Sequence, residues 1–507
     1  MICGYSEAFS AIYGSDRFNA LICSSEKQLT EPGLKIFNIS ECDYQNFSDK
    51  RAFLYLRDLL MEKIGAVIEK MPLPVVILCH NMVLAKNPAL SSALRLLAQK
   101  KDRCKYRFFW VIHDLAEEGR VDMLEKTDQL LQMGISIKDE LYAIGAPVHY
   151  LVPGMHLYPI LKKAGFAVTL LPNPIRMNSV TSESVNRIAL LEKLKEQAVS
   201  DGLTFDLQRP VCCYPTRIIR RKNVLEAILI ACIFMDGNLI LGVPGKSPAD
   251  RALYGNLINF ARENRLRVVV DTSRLPWKNL ISSGQYHGNP VPYLYHSCDL
   301  ALSTSLSEGF GYLLYEPWVY NKMVLARRPA GFVYPEKMSS SSLYEHMPVP
   351  LEWVCWKSIK EKYCQYSRFI GAGNCVEEAE NLLRIDETVD FGILDIETQL
   401  KVLRKILSDH SSKQKMRLLF KKMAAPWWKL NEPVVSMDEA MVVKNREIIM
   451  NTFSNQRFTE SFQYCTSIIP AENGGGVDFK KIQIELWKCG FKLFFSDSGG
   501  YNENITK

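Results

Sequence analysis

The stretch DLALSTSLSEGFGYLLYE, residues 299–316, contains the strongest signals for fold and site in this chain. Its apolar first part predicts a buried strand, and the segment after Gly311 predicts a helix. Gly309 and Gly311 allow a tight turn between them and close approach of a second backbone. The amides of Phe310, Gly311 and Tyr312 are then expected at a helix N-terminus, a position that favours a bound phosphate.

Two carboxylates flank this glycine turn. Glu308 precedes it and Glu316 follows eight residues later, which corresponds to about 12 Å at most along a helix. That span is close to the distance between the sugar and the ribose of a nucleotide-sugar. One carboxylate is therefore predicted to bind sugar hydroxyls and the other the ribose diol, and the alternative is a surface glutamate beside a glycine turn.

Outside this stretch, apolar runs alternate twice with helical patterns. The runs lie at 18–23, 34–39, 74–80, 107–113 and 167–173, and again at 210–215, 238–243, 265–271, 299–305 and 322–328. Helices are predicted at 51–71, 89–100, 224–235 and 249–264. The third of these is expected to begin at Asn223, which has capping-box spacing with Glu226. The alternation predicts an α/β protein with two doubly wound, Rossmann-like domains.

The domain boundary is predicted at Asn173, which lies between two prolines. The first domain then covers 1–172 and the second 173–435, with the polar segment 178–208 interpreted as an insertion. One long helix is expected over 445–469. The remaining tail, 470–507, is expected to be poorly ordered or a small appendage.

Composition restricts the class of protein further. The chain has 507 residues, of which 47% are hydrophobic and 23% charged, as in folded proteins of two domains. Its net charge of +7 is spread out and forms no basic stripe of the kind that nucleic-acid binding requires. No charged leader followed by an apolar run is visible. We therefore expect a cytoplasmic protein, with peripheral contact at the inner face of the membrane left open.

A second loop, PTRIIRRKN at 215–223, is rich in cations and lies between a predicted strand and a helix. Arg217 and Lys222, if they converge on a diphosphate, can neutralise the charge of a leaving group. Arg220 and Arg221 are interpreted as a solvated basic face.

Polar residues also end two strands of the first domain. Because ligand sites of Rossmann-like sheets lie at strand carboxyl ends, His113 is predicted to line a ligand site and His80 and Asn81 to line the acceptor side. A structural histidine at the strand end is the alternative. A metal site that includes Glu117 and Glu118 is rejected, because no second histidine has ligand spacing.

Together these motifs resemble those of retaining GT-B glycosyltransferases, especially family 4. Glu308 and Glu316 resemble the E-x7-E motif, Arg217 and Lys222 the R-x4-K pair, and His113 the histidine of the cleft. The resemblance implies two Rossmann-like domains that face each other across a cleft. It also implies transfer of a hexosyl group with retention from a nucleotide-sugar, a UDP- or GDP-sugar.

The resemblance further implies a role for each matched residue. Glu308 and His113 are expected to be catalytic, without a metal or other cofactor. Donor binding is assigned to a set of residues in the second domain: Arg217, Lys222, Gly309, Phe310, Gly311 and Glu316. The helix over 445–469 is implied to pack back on the first domain.

Two departures from the family pattern bear on these roles. Pro317 follows Glu316 and can kink a helix at that point. Only three residues precede Gly4 and Tyr5, the further acceptor-side candidates, where the family has a strand that feeds a glycine-rich loop. The acceptor, a small molecule, glycan or lipid-linked group, stays open. So do three alternatives: a GT-B phosphorylase, a sugar-nucleotide epimerase and a non-catalytic scaffold.

Overall fold

The computed structural model describes residues 8, 12, 19–23, 34–118, 120–175, 186–281, 289–369, 383–423, 439–473 and 476–486. The chain divides into two compact units. The first unit consists of 1–174, 308–310 and 453–490, and the second of 175–307, 311–452 and 491–507.

The first unit contains two parallel sheets, a pair formed by its first two strands and a four-stranded sheet in which the next four strands lie in chain order. The strands are β1 Asn19–Cys23, β2 Leu34–Asn38, β3 Val75–His80, β4 Tyr106–Val111, β5 Val148–Val152 and β6 Val168–Leu170. The helices are Lys50–Ile68, Pro88–Lys100, Val121–Gln132, Ile137–Glu140, Leu157–Lys163 and Asn455–Ser467. The predicted runs at 74–80, 107–113 and 167–173 are confirmed as strands. Strand β5, with the sequence VHYLV, was not predicted.

Strand β4 shows why this sheet is covered on both faces. Its residues alternate between faces, so that Phe108 and Trp110 join one apolar cluster while Phe109 and Val111 join another. The second cluster is completed by Phe458 and other residues of the helix Asn455–Ser467.

The predicted single helix over 445–469 is wrong. The structure has two helices, Glu439–Thr452 and Asn455–Ser467, and the first of them belongs to the second unit whereas the other belongs to the first unit. Ser454 has an extended backbone, and its side chain accepts a hydrogen bond from the amide of Arg457 at 3.2 Å. This N-cap starts a new helix, which belongs to the first unit.

The prediction of a poorly ordered or separate tail is also wrong for its described part. Asn473 donates to the carbonyl of Val148 at 2.6 Å, and Phe479, Ile482 and Leu486 are buried in the core of the first unit. Their spacing places these apolar side chains on one helical face. The described residues of the tail, 470–473 and 476–486, therefore contribute to that core.

The second unit contains a six-stranded parallel sheet in the order β12-β11-β10-β7-β8-β9 and a three-stranded antiparallel sheet in the order β13-β15-β14. The strands are β7 Val211–Tyr214, β8 Asn238–Leu241, β9 Val268–Val269, β10 Leu300–Ser303, β11 Val324–Arg327, β12 Leu343–Tyr344, β13 Pro348–Pro350, β14 Arg384–Ile385 and β15 Thr388–Asp390. If β7 is numbered as strand 1 and the larger sheet is read from β9 to β12, its strand order is 3-2-1-4-5-6, which is that of a doubly wound fold.

The second unit also contains helices. Those of at least seven residues are Arg187–Ser200, Pro248–Glu263, Val291–Ser297, Tyr312–Val319, Trp356–Phe369, Ile396–Ser408, His410–Met423 and Glu439–Thr452. Shorter ones are Val224–Ile228, which continues as a π-helix over Leu229–Phe234, and Trp277–Leu280. The predicted helices at 51–71, 89–100, 224–235 and 249–264 are thus confirmed. The helix Arg187–Ser200, from the segment interpreted as an insertion, packs against β9.

The predicted capping box at Asn223 does not form. Asn223 has a left-handed backbone with φ 49°, and its side-chain Nδ2 donates to the Glu226 carboxylate at 2.8 Å. The carboxylate is held by Arg327 and is therefore turned away from the backbone amide that it would cap.

Within the described part of the chain, no helix combines the length and the apolar character needed to span a bilayer.

Gly242, which follows β8, provides a test of this fold. A Cβ added there would lie 2.4 Å from the carbonyl oxygen of Thr216, whereas one added to Gly255 would meet no atom within 4 Å. We expect Gly242→Ala to destabilise the second unit by about 1–3 kcal/mol through overpacking. Gly255→Ala, inside a helix, should leave the unit as stable or slightly more stable. Urea unfolding of both variants measures this, and equal midpoints would contradict the close approach of the two backbones.

Candidate functional site

Two loops meet at the carboxyl edge of the larger sheet of the second unit. The basic loop (residues 215–223) follows β7, and the glycine loop (residues 304–311) follows β10. Strands β7 and β10 pair directly, although β8 and β9 lie between them in the sequence. This is the topological switch point of the sheet, the position at which doubly wound folds bind their ligands.

Hydrogen bonds join these two loops. The amide of Leu306 donates to the carbonyl of Arg221 at 2.9 Å, and the Arg221 guanidinium donates to the carbonyl of Ser307 at 3.2 Å. Thr304 Oγ1 lies 3.1 Å from the carbonyl oxygen of Lys222. The basic loop and the first part of the glycine loop, almost 90 residues apart in the sequence, are therefore joined within the second unit.

Three of the four cations of the basic loop have different environments. Arg217 is exposed. Lys222 is buried, and its carbonyl also accepts a hydrogen bond from the Tyr214 hydroxyl at 3.0 Å. Arg220 is buried as well, and it donates to the carbonyl of Leu394 at 2.6 Å. The interpretation of Arg220 as part of a solvated basic face is wrong, because its guanidinium is buried and donates to backbone carbonyls and to side-chain amide oxygens.

The glycine loop leads into the helix Tyr312–Val319, with Gly311 as its N-cap at φ 92°. That left-handed backbone suits glycine and places the amides at the helix N-terminus, as predicted. The helix continues through Pro317 and ends two residues later. Glu316, on its first turns, is half-buried, and burial raises the pKa of its carboxyl to about 7.

Glu308, Gly309 and Phe310 group with the first unit. There the backbone of Gly309 lies against two strand ends. A Cβ added to Gly309 would lie 2.6 Å from the carbonyl oxygen of His113, and one added to Gly154 would lie 2.3 Å from the carbonyl oxygen of Gly309. Neither position can hold a residue larger than glycine unless the backbone shifts. The half-buried Glu308 is therefore next in the chain to a residue that touches His113.

His113, His80 and Asn81 are brought together at the carboxyl edge of the first sheet. His80 Nδ1 lies 3.2 Å from His113 Nε2, and the two rings stack with their centroids 5.5 Å apart. The side-chain oxygen of Asn81 accepts a hydrogen bond from the amide of His113 at 3.1 Å. Burial lowers the pKa of both histidines to about 4, so both rings are neutral at pH 7.

The neighbouring Glu117 and Glu118 are buried and have protein partners. Glu117 accepts a hydrogen bond from the Tyr142 hydroxyl at 2.7 Å, and Glu118 lies 2.9 Å from His156 Nε2. Among the described residues, no group of three or more histidines, cysteines or acidic residues could hold a metal ion. The remaining acceptor-side candidates, Gly4 and Tyr5, lie outside the described residues.

Comparison with known proteins gave one informative relative. No family model matches the chain. It is 26% identical over 370 residues to a mannosylglucosyl-3-phosphoglycerate synthase from Petrotoga mobilis, an alignment that covers 71% of this chain and 67% of that protein. Together with the parallel sheets of the two units, this relative identifies the chain as a glycosyltransferase.

Solved structures resemble the chain with low sequence identity. A sucrose-phosphate synthase from Thermosynechococcus elongatus has a TM-score of 0.48 and 11% identity, and the match covers 91% of both chains. A glycosyltransferase from Rickettsia africae ESF-5 has a TM-score of 0.44 and 12% identity, and covers 92% of this chain and 94% of that one.

The paired histidines predict a pH effect on stability. Their pKa is about 4 in the folded chain and about 6.5 in the unfolded chain. Between these values the unfolded state binds protons that the folded state does not, so stability falls as pH drops from about 6.5 to 4. Replacing both with glutamine should reduce the fall in melting temperature between pH 6.5 and 4, whereas the exposed His410→Gln should not. An unchanged slope in the double variant would refute the buried, neutral pair.

Proposed function

We propose that this GT-B glycosyltransferase transfers a hexosyl group from a nucleotide-sugar to an acceptor, with retention of the anomeric configuration. The junction of the basic loop and the glycine loop at the β7–β10 switch point is the observation that supports this most strongly. In the second unit it combines cations with the amides of Gly311 and Tyr312 at a helix N-terminus, the groups that a nucleoside diphosphate requires.

In this proposal Arg217, Lys222 and the amides of Phe310 and Gly311 hold the donor diphosphate. Negative charge builds on that group as the glycosidic bond breaks, and fixed positive charge stabilises it there. Lys222 is buried, where a charge interacts more strongly than in water. Arg217 is exposed and is therefore accessible to a ligand.

Glu308 and His113 are proposed to act on the donor sugar. The transition state carries positive charge on the sugar ring, which the Glu308 carboxylate would stabilise. Because the pKa of His113 is lowered to about 4, its ring is neutral at pH 7 and can hydrogen-bond a hydroxyl without placing a second positive charge beside the sugar. His80 and Asn81, in contact with His113, are proposed to line the acceptor side. Glu316 is proposed to bind the ribose diol.

We propose a chemical class for the acceptor from the name of the Petrotoga relative. The Petrotoga protein is named for a product in which two sugars are joined to phosphoglycerate. A small phosphorylated acceptor, or its glucoside, is accordingly the first class to test.

Incubation with UDP-, GDP- and ADP-sugars, with and without 3-phosphoglycerate or glucosyl-3-phosphoglycerate, tests the proposal. Acceptor-dependent release of nucleotide, with an NMR coupling constant that shows retention in the product, is expected. Release of nucleotide that requires inorganic phosphate would favour a phosphorylase. Conversion of the donor sugar without transfer would favour an epimerase. No turnover with any donor would favour a non-catalytic scaffold.

Removing either proposed phosphate ligand should weaken nucleotide binding. Each hydrogen bond to a charged group contributes about 1.5–3 kcal/mol, so Arg217→Ala and Lys222→Ala should each raise the Kd of the nucleoside diphosphate by about 10- to 100-fold. Isothermal titration calorimetry measures this. Arg251→Ala, which removes an exposed cation from another helix, serves as the control. Wild-type affinity in both loop variants would remove the phosphate assignment.

Glu308→Gln should separate catalysis from binding. The change keeps the size of the side chain and removes its charge, so an interaction that is stronger in the transition state is lost while nucleotide affinity is largely kept. We expect kcat to fall much more than the free-nucleotide Kd rises, with an unchanged melting temperature. The exposed Glu336→Gln is the matched control. A Glu308→Gln enzyme with wild-type kcat would exclude a catalytic role.

Transfer is expected to survive chelation, because protein cations and amides carry the proposed stabilisation of the leaving group. Turnover should be equal with and without EDTA. Activity that is lost with EDTA and restored by Mn²⁺ or Mg²⁺ would show that a metal is needed.

A further inference from the structure

Gln399 occupies a central position behind the basic loop. It lies in the helix Ile396–Ser408 and is completely buried. Its Nε2 donates to the side-chain oxygen of Asn223 at 3.0 Å and to the carbonyl of Phe391 at 2.8 Å. Its Oε1 accepts from the Arg220 guanidinium at 3.3 Å. A single side chain thus binds two residues of the loop and the segment behind it.

The partners of Gln399 connect it to the loop residues that carry charge. Arg220 and Asn223 immediately flank Arg221 and Lys222 in the chain. The carbonyl of Asn223 also accepts from Thr304 Oγ1 at 3.0 Å, so the contact extends to the glycine loop. A shift of Asn223 or Arg220 would therefore move Lys222 relative to the amides of the glycine loop.

Because Gln399 and Arg220 are buried, their hydrogen bonds favour one position of the basic loop. A buried amide that loses its partners leaves polar groups unsatisfied, and their desolvation cost is then not offset. Arg220 likewise has carbonyl partners at Leu394 and Gly392. The loop is therefore held in one position by groups on the segment 391–399, which is about 170 residues away in the sequence.

We propose that Gln399 is a positioning residue for the donor diphosphate: it fixes the basic loop so that Arg217 and Lys222 meet the ligand, and it does not itself touch that ligand. This inference rests on the proposed function for the identity of the ligand. The contact of Gln399 with the loop stands independently of it.

The test uses Gln399→Met in the full chain, which keeps the side-chain length and removes all three hydrogen bonds. Gln197→Met is the matched control, because Gln197 is another buried glutamine of the second unit whose Nε2 donates to backbone carbonyls, those of Val270 and Asp271. Amide hydrogen exchange without any ligand is measured first. Gln399→Met should speed exchange in the basic loop by about three- to tenfold, and Gln197→Met should not.

Nucleoside diphosphate affinity is then measured in two backgrounds. Gln399→Met should raise the Kd of UDP or GDP by about three- to tenfold in the wild-type background, and by less than about twofold when Arg217→Ala and Lys222→Ala are present, since coupled residues are not additive. Rescue of affinity by Gln399→Asn or Gln399→His would support positioning by hydrogen bonds.

The outcomes separate this inference from the proposed function. A lowered melting temperature with unchanged loop exchange and unchanged Kd would overturn the positioning role and leave only a structural one. An equal loss of affinity in both backgrounds would also overturn it. A wild-type chain that binds no nucleoside diphosphate would refute the proposed function, whereas the exchange experiment would still decide whether Gln399 holds the loop.

Discussion

The second unit depends on one buried ion-pair network. Arg327, at the end of β11, is inaccessible to solvent; it donates to Glu226 at 2.9 Å and makes two bonds to Asp390 at 2.7 and 2.8 Å. Removing one partner of such a group costs about 3–5 kcal/mol, because a charge is left buried without compensation. The network joins a strand of the larger sheet, a strand of the smaller sheet and the helix after the basic loop.

Hydrogen bonds connect that network to the basic loop. Glu226 accepts from Asn223 at 2.8 Å, and Asn223 accepts from Gln399 at 3.0 Å. Arg220 adds a second buried guanidinium beside these groups. Neighbouring cations of one loop thus have different functions: Arg220 holds the loop from within, and Arg217 and Lys222 remain as the proposed ligands of a diphosphate.

In the first unit, the corresponding constraint is the close approach of backbones. Gly309 and Gly154 permit a separation that a Cβ at either position would prevent. The stacked, neutral His80 and His113 lie at the same edge of the first sheet. The two glycines of the GFG turn are therefore required for different physical reasons. Gly311 has a left-handed backbone, and Gly309 packs closely against neighbouring backbone.

The sequence by itself determined the parallel strands with long apolar runs, the amphipathic helices and the order of the two site motifs, because these depend on periodicity and turn residues that are adjacent in the chain. It did not predict β5, the break at Ser454, the burial of the tail to residue 486 or the inward direction of Arg220. Only the tertiary structure decided these features. Each depends on partners far away in the sequence, such as Leu394 for Arg220 and Val148 for Asn473, and a polar residue has the same local pattern whether water or a buried carbonyl completes its hydrogen bonds.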